Sequence, residues 1–187
     1  MDKIILASQS PRRKQLLAQA GYEFDIVIAD VDETNPPGMP GGEVPAFLAQ
    51  KKAAAIEAQA HNAIIIAADT IVLLDDEILG KPTDAVHAKA MLQKLSGRMH
   101  EVVTGVCIQK ATKQDVFSVV TEVYFRPLTE QQIDHYIANY HPFDKAGSYA
   151  IQEWIGLTGI EKINGDYYNV MGLPIGTVVE RLGKFFS

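Results

Sequence analysis

The chain is predicted to be a mixed α/β protein, on three observations. Its start, Ile4-Ile5-Leu6-Ala7 followed by Ser8-Gln9-Ser10-Pro11, reads as a buried strand running straight into a helix N-terminus. Ala63-Ile64-Ile65-Ile66-Ala67-Ala68 is wholly apolar, the pattern of a strand buried on both faces of a sheet. Residues 101–110 and 115–126 read as two long strands, the second alternating around Val119, Thr121, Val123 and Phe125.

Each element has a local cause. Ser10 is a good N-cap and Pro11 suits the first helical position. That helix continues through Gln15-Leu16-Leu17-Ala18-Gln19-Ala20 to Gly21, which can end it in the left-handed conformation. Residues 22–31 read as a strand around Phe24-Asp25-Ile26-Val27-Ile28, and 30–42 as a mobile loop rich in Pro and Gly. Residues 43–60 form a helix with an apolar face at Val44, Phe47, Leu48 and Ala55. The apolar strand that follows is expected to end at Asp69-Thr70. Residues 71–74, Asp75-Asp76 and 77–79 read as a hairpin. Gly80-Lys81-Pro82 breaks the pattern, and Thr83 is expected to cap a helix through Leu95, ended by Gly97. After the two long strands, Thr129 caps a helix through Asn139. Residues 142–159 read as irregular, Gly165-Asp166 as a turn, and Leu173-Pro174 as the approach to a final helix. With no repeat, low-complexity tract or strong linker, residues 1–187 are expected to form one domain.

Composition sets limits on function. A chain of 187 residues, 47% hydrophobic, suits one domain, or a domain with a lobe. Such a chain buries roughly 70% of its unfolded surface. The single cysteine, Cys107, excludes a disulfide scaffold and a zinc cluster and fits a reducing cytoplasm. The N-terminus carries no signal-peptide cleavage region, and no apolar run is long enough for a membrane span. A cytoplasmic location without membrane association is therefore expected. The net charge of −6 argues against nucleic acid as a partner. Basic residues occur locally instead, at Arg12-Arg13, Lys51-Lys52, Lys81 and Lys145, which fits a small anionic ligand. The five histidines show no ligand spacing and read as surface residues. Tyr167-Tyr168 and Trp154 read as packing residues.

The strongest chemical signal is the arginine pair. Arg12 and Arg13 sit in the first turn of a helix, where the dipole is already positive. An anion between them relieves that repulsion, and with Ser8 and Ser10 the turn suits phosphate oxygens. The alternative is two solvated arginines. Asp69, at the end of a buried strand, sits where α/β sites lie and can bind a divalent cation or orient a water. The alternative is a turn residue bonding its own backbone. Val31-Asp32-Glu33 opens the loop with carboxylates that can supply a second metal ligand, the commoner alternative being a solvated acidic loop; Lys52 and Lys81 can neutralise phosphate charge, the alternative being exposed lysines with no specific role. Gln152, in a Gly-rich tract, can offer a donor and an acceptor to a base edge, the commoner alternative for that tract alone being a structural loop.

Taken together, these residues resemble a known family. Ser8-Gln9-Ser10-Pro11-Arg12-Arg13 after a strand is similar to the signature of the Maf nucleoside triphosphate pyrophosphatases. The likeness continues, in order, through Val31-Asp32-Glu33, Lys51-Lys52-Ala53, Ala68-Asp69-Thr70-Ile71-Val72, Gly80-Lys81-Pro82, Leu95-Ser96-Gly97, Asp144-Lys145-Ala146-Gly147 and Val170-Met171-Gly172-Leu173-Pro174. It implies an elongated mixed sheet flanked by helices, with two lobes around a central cleft, as in the inosine triphosphatases. It also implies an enzyme that is often a homodimer and that converts a nucleoside triphosphate and water to the monophosphate and pyrophosphate with Mg²⁺ or Mn²⁺. Asp69 matches the general base and a metal ligand, and Glu33 a second metal-linked acid. Ser8, Arg13, Lys52 and Lys81 match the phosphate-contacting set.

Arg12, Thr70 and Gln152 resemble the branch acting on dTTP and UTP, where the branch acting on 7-methyl-GTP has Trp, Gln and Glu. A glutamine amide complements the O4 acceptor and N3–H donor of uracil or thymine. Two rival readings stand beside this one: a binding protein that regulates septum formation, and a pyrophosphatase for other modified nucleotides.

Overall fold

In the computed structural model, which describes residues 2–186, the chain opens as the sequence predicts. Strand β1 (Ile4–Ala7) leads into helix α1 (Pro11–Gln19). The Ser10 hydroxyl accepts from the Arg13 amide at 3.4 Å, and Gly21 turns left-handed at φ +86°. The chain divides into two compact units. The first comprises the segment up to Thr70, Thr104–Val119 and the segment from Gly172 onward; the second comprises Ile71–Val103 and Val120–Met171.

In the first unit, β1 pairs in parallel with the start of β3 (Ile64–Leu74), Ile4 to Ala7 lying against Ile64 to Ala67. Ile5, Ala7, Ile65 and Ala67 pack against helix α2 (Val44–Ala60) through Ala49, Ala53, Ile56 and Ala60. Small residues let the helix lie close. At Gly105 a Cβ would stand 2.1 Å from the Ala46 nitrogen, so only glycine fits. Of the predicted apolar face of α2, Val44 and Leu48 are buried and Phe47 is half-buried, but Ala55 is exposed, and Ala49, Ala53 and Ile56 face inward instead. Cys107 is buried in the same core, and burial, reinforced by Asp115, pushes its thiol up to about 12.

Strand β2 is only Asp25–Ile26, both exposed, where residues 22–31 were expected to be a strand. It is an edge strand whose sole partner, β1, is four residues long, so the ladder has little to pair with. Residues 30–42 contain no regular element up to a 3-10 turn at Gly41–Glu43. Helix α7 (Ile175–Leu182) closes the first unit.

Strand β3 runs unbroken through Asp69-Thr70 to Leu74, contrary to the expected end there. Polar side chains are tolerated mid-strand because both find partners, as the site geometry shows. Strands β5 (Met99–Lys110) and β6 (Lys113–Phe125) likewise contribute to both units. The sheet order is β2-β1-β3-β5-β6-β7, where β7 is Ile160–Asn164, with β4 (Glu77–Leu79) antiparallel to β3.

In the second unit, Asp75 and Asp76 take φ values of 47° and 67°, the turn that matches a hairpin's twist. Helix α3 (Ala85–Leu95) is capped by Asp84, whose carboxylate accepts from the His87 amide at 2.8 Å, not by Thr83. Thr129 and Gln132 form a capping box on α4 (Glu130–Tyr140). The tract expected to be irregular holds two 3-10 turns, Pro142–Asp144 and Ala146–Ser148, then helix α5 (Trp154–Gly159). Strand β7 (Ile160–Asn164), which the sequence did not signal, pairs antiparallel with β6 and precedes α6 (Tyr167–Met171).

The core here joins Leu74, Leu92, Leu95, Val123, Phe125, Ile133, Tyr136 and Ile155. His100, expected on the surface, is 1% exposed. Its Nε2 lies 2.7 Å from the Tyr149 hydroxyl, its ring meets Phe125 and Tyr149 edge-on, and its Nδ1 has no hydrogen-bond partner among the described residues. Burial pushes its pKa down to about 3. Tyr167 and Tyr168, expected to pack, are exposed. Among the described residues no helix is long and apolar enough to cross a membrane.

Candidate active site

Seven of the predicted site residues lie in the first unit. Ser8 directly follows β1 and is buried; its hydroxyl accepts from the Ser10 amide at 3.2 Å. The β1-to-α1 connection places Arg12 and Arg13 in the first helical turn, as predicted. Arg13 turns inward. Its Nε donates to the Gly172 carbonyl at 2.7 Å and its Nη1 to the Ala68 carbonyl at 2.9 Å. Nη1 also reaches Ser8 Oγ at 3.4 Å, and Nη2 donates to Thr70 Oγ1 at 2.9 Å. A guanidinium has five N–H donors, and this one commits four of them to the protein. Burial lowers its pKa, with Asp69 opposing and Arg12 adding to the effect. Arg13 is thus a brace joining β1, β3 and the segment before α7.

Thr70 is held from several sides. Besides Arg13, its Oγ1 lies 2.9 Å from Thr104 Oγ1 and 3.4 Å from the Gly172 carbonyl. Thr104 and the Gly172 carbonyl were not singled out for chemistry in the sequence. Gly172 lies in the Val-Met-Gly-Leu-Pro segment, but a backbone acceptor carries no residue signature, and Thr104 looks like any strand threonine.

Asp69 and Thr70 stand just past the last parallel pair, Ala7 with Ala67, where β1 ends and β3 continues. The carboxyl edge of the parallel strands is where α/β proteins place their ligands, so Asp69 keeps that position although its own strand runs on. From α2, Lys52 reaches Asp69 Oδ1 at 2.6 Å and Glu33 Oε1 at 2.9 Å. The Lys52 and Asp69 side chains are only 12% and 14% exposed, whereas Glu33 is largely open to solvent. Lys52 thereby ties the Asp69 carboxylate to α2 through Oδ1. Upstream, the Asp32 carboxylate accepts from the Thr34 amide and hydroxyl, and Lys51 Nζ donates to the Asp32 carbonyl. The opening of the 30–42 loop is therefore strapped to α2 by two consecutive lysines.

No group of three or more His, Cys, Asp or Glu residues suited to a metal is present among the described residues. Asp69 and Glu33 converge instead on the one ammonium of Lys52. Mg²⁺ is ordinarily held by one or two carboxylates with phosphate oxygens and water completing the octahedron. The two carboxylates fit a cation that arrives with a polyphosphate, and do not form a protein-only cage.

Lys81 and Gln152 belong to the second unit. Lys81 follows β4 and is exposed. Gln152 is exposed in a turn immediately before α5.

The Maf-like protein family model matches residues 3–185. A dTTP/UTP pyrophosphatase of Cytophaga hutchinsonii is 51% identical over 184 residues, 98% of this chain and 84% of the relative. A dTTP/UTP pyrophosphatase of Phocaeicola vulgatus is 48% identical over 97% of this chain and 95% of its own. The Staphylococcus aureus Ham1 protein structure shows a TM-score of 0.46 at 16% identity, over 66% of this chain and 72% of that one.

Proposed function

The chain belongs to the Maf-like family, and we propose that it hydrolyses dTTP and UTP to the nucleoside monophosphate and pyrophosphate. Relatives nearly half identical over almost the whole chain bear that activity as their name. The observation that carries the reading is Asp69: a carboxylate at the end of the parallel pairing, oriented by Lys52 and backed by the Arg13 brace.

The Asp69 carboxylate takes the proton of a water as the water oxygen attacks the α-phosphorus. The bond from that phosphorus to the α,β-bridging oxygen breaks, and pyrophosphate leaves. Lys52, Arg12, Ser8 and Lys81 meet the charge gathering on the departing phosphates, and Arg13 adds its field. Asp69 and Glu33 would hold Mg²⁺ or Mn²⁺, which supplies charge neutralisation to the triphosphate. Thr70 and Arg12 stand beside the substrate, and Gln152 reads the base edge.

The test is a panel of NTPs and dNTPs, each with and without Mg²⁺ or Mn²⁺, with monophosphate and pyrophosphate measured separately. Metal-dependent, equimolar release from dTTP and UTP is expected. Release of orthophosphate, or a purine preference, would overturn the cleavage site or the base assignment respectively.

A further inference from the structure

The turn that carries Gln152 is pinned from beneath by one buried hydroxyl. Residues 150–153 close on themselves, the Glu153 amide donating to the Ala150 carbonyl at 3.1 Å. Tyr136, on α4, is 0% exposed and lies under both ends of that turn. Its hydroxyl accepts from the Ala150 amide at 3.1 Å and donates to the Glu153 carboxylate. The other carboxylate oxygen of Glu153 is 3.4 Å from the ammonium of Lys145, itself bonded to Asp144 at 2.7 Å. Just downstream, the Gly156 amide bonds the Glu153 carbonyl at 2.9 Å. A Cβ at Gly156 would stand 1.7 Å from the Ile151 carbonyl oxygen. Ile151 is buried, so within this pinned turn Gln152 is the residue presented to solvent.

We propose that Tyr136, through its two hydrogen bonds to Ala150 and Glu153, is a positioning residue for nucleotide selectivity, fixing the height and direction at which Gln152 is offered to the base. The proposal rests on the reading of Gln152 as the base reader. Tyr136 touches no substrate; it acts through the turn. Burial first, and then the bond to Glu153, raise its pKa above the ordinary tyrosine value, so the hydroxyl keeps the proton it donates. A reader of donor and acceptor positions discriminates only while its backbone is fixed, because thymine and cytosine differ at the same edge by the exchange of one donor and one acceptor. An ångström of play in the turn lets the amide serve either base.

The experiment compares kcat/KM for dTTP with that for dCTP in the wild-type protein, Gln152→Ala, Tyr136→Phe, Glu153→Gln, Glu153→Ala and the double variant Tyr136→Phe/Gln152→Ala. Tyr140→Phe, which removes a hydroxyl stacked next to Tyr136 on the same helix, is the control. Gln152→Ala is expected to lower the dTTP:dCTP ratio by about tenfold. Tyr136→Phe and Glu153→Ala should lower it on the order of fivefold, through the KM for dTTP, with kcat within about threefold. Glu153→Gln, which still accepts from Tyr136, should hold the ratio, as should Tyr140→Phe, and the double variant should fall no further than Gln152→Ala alone. An unchanged ratio in folded Tyr136→Phe, with Gln152→Ala impaired, overturns the clamp and leaves the reading of Gln152 standing. An unchanged ratio in Gln152→Ala overturns both. Should Tyr136→Phe fail to fold, the Glu153 pair decides: equal loss in Glu153→Gln and Glu153→Ala overturns the proposal.

Discussion

Asp69 and Gln152 are held in opposite ways. Asp69 sits within an eleven-residue strand, between buried Ala68 and half-buried Thr70, and is gripped by a lysine from α2. Gln152 sits on a four-residue turn whose place depends on a tyrosine hydroxyl beneath it. The backbone of the first is fixed by the sheet ladder, and that of the second by a few side-chain bonds. Under the proposed reading both groups need fixed geometry, and they differ in what supplies it: a sheet for the proposed base, and a few side-chain bonds, open to retuning, for the proposed base reader.

If that division holds, the two regions break differently. Asp69→Asn keeps shape and loses basicity, so kcat should fall by about 10³-fold while dTTP binding, read by calorimetry, changes little. A comparable loss of binding would make Asp69 a substrate ligand first and a base second. Gly156→Ala forces a Cβ into the Ile151 carbonyl and should reduce unfolding free energy by about 3 kcal/mol in urea, with nucleotide preference blurred. Preserved preference would show that the turn does not set it.

The second unit also carries a pH dependence. His100 has a folded pKa near 3, below its unfolded value. The unfolded state therefore binds more protons between about pH 6.5 and pH 3. Stability is full above that window and declines as pH falls through it, by roughly 1.4 kcal/mol per pH unit. Urea melts at pH 7 and 5 should differ by about 2 kcal/mol. The smallest effect is expected at Thr70→Val, which removes the oxygen shared by Arg13 and Thr104. The stability loss should be about 1–2 kcal/mol, and a neutral result would mean the two partners re-pair directly.

Most of the fold was legible because its signals are local: Ser10 and Pro11 at a helix start, the apolar run before Asp69, and the Asp75-Asp76 hairpin. The misreadings are tertiary. Asp69-Thr70 looked like a strand end because two polar residues interrupt an apolar run, yet Lys52 and Arg13 reach from other elements to satisfy them. Residues 22–31 have strand composition but too short a partner to pair with. Strand β7 is half-buried at an edge and shows no clear alternation. Of the site, the charged residues announced themselves. The supports did not: a threonine, a backbone carbonyl and a core tyrosine look ordinary until the chain folds.

The lone thiol has a practical consequence. Cys107 lies in the packed contact between α2 and the sheet, with its proton held far above neutral pH. Thiolate is the form that reacts with alkylating and oxidising reagents, so in the folded protein this one thiol is shielded from them. A reagent that does couple has caught the first unit open, and its slow uptake is a clock for how often that core breathes.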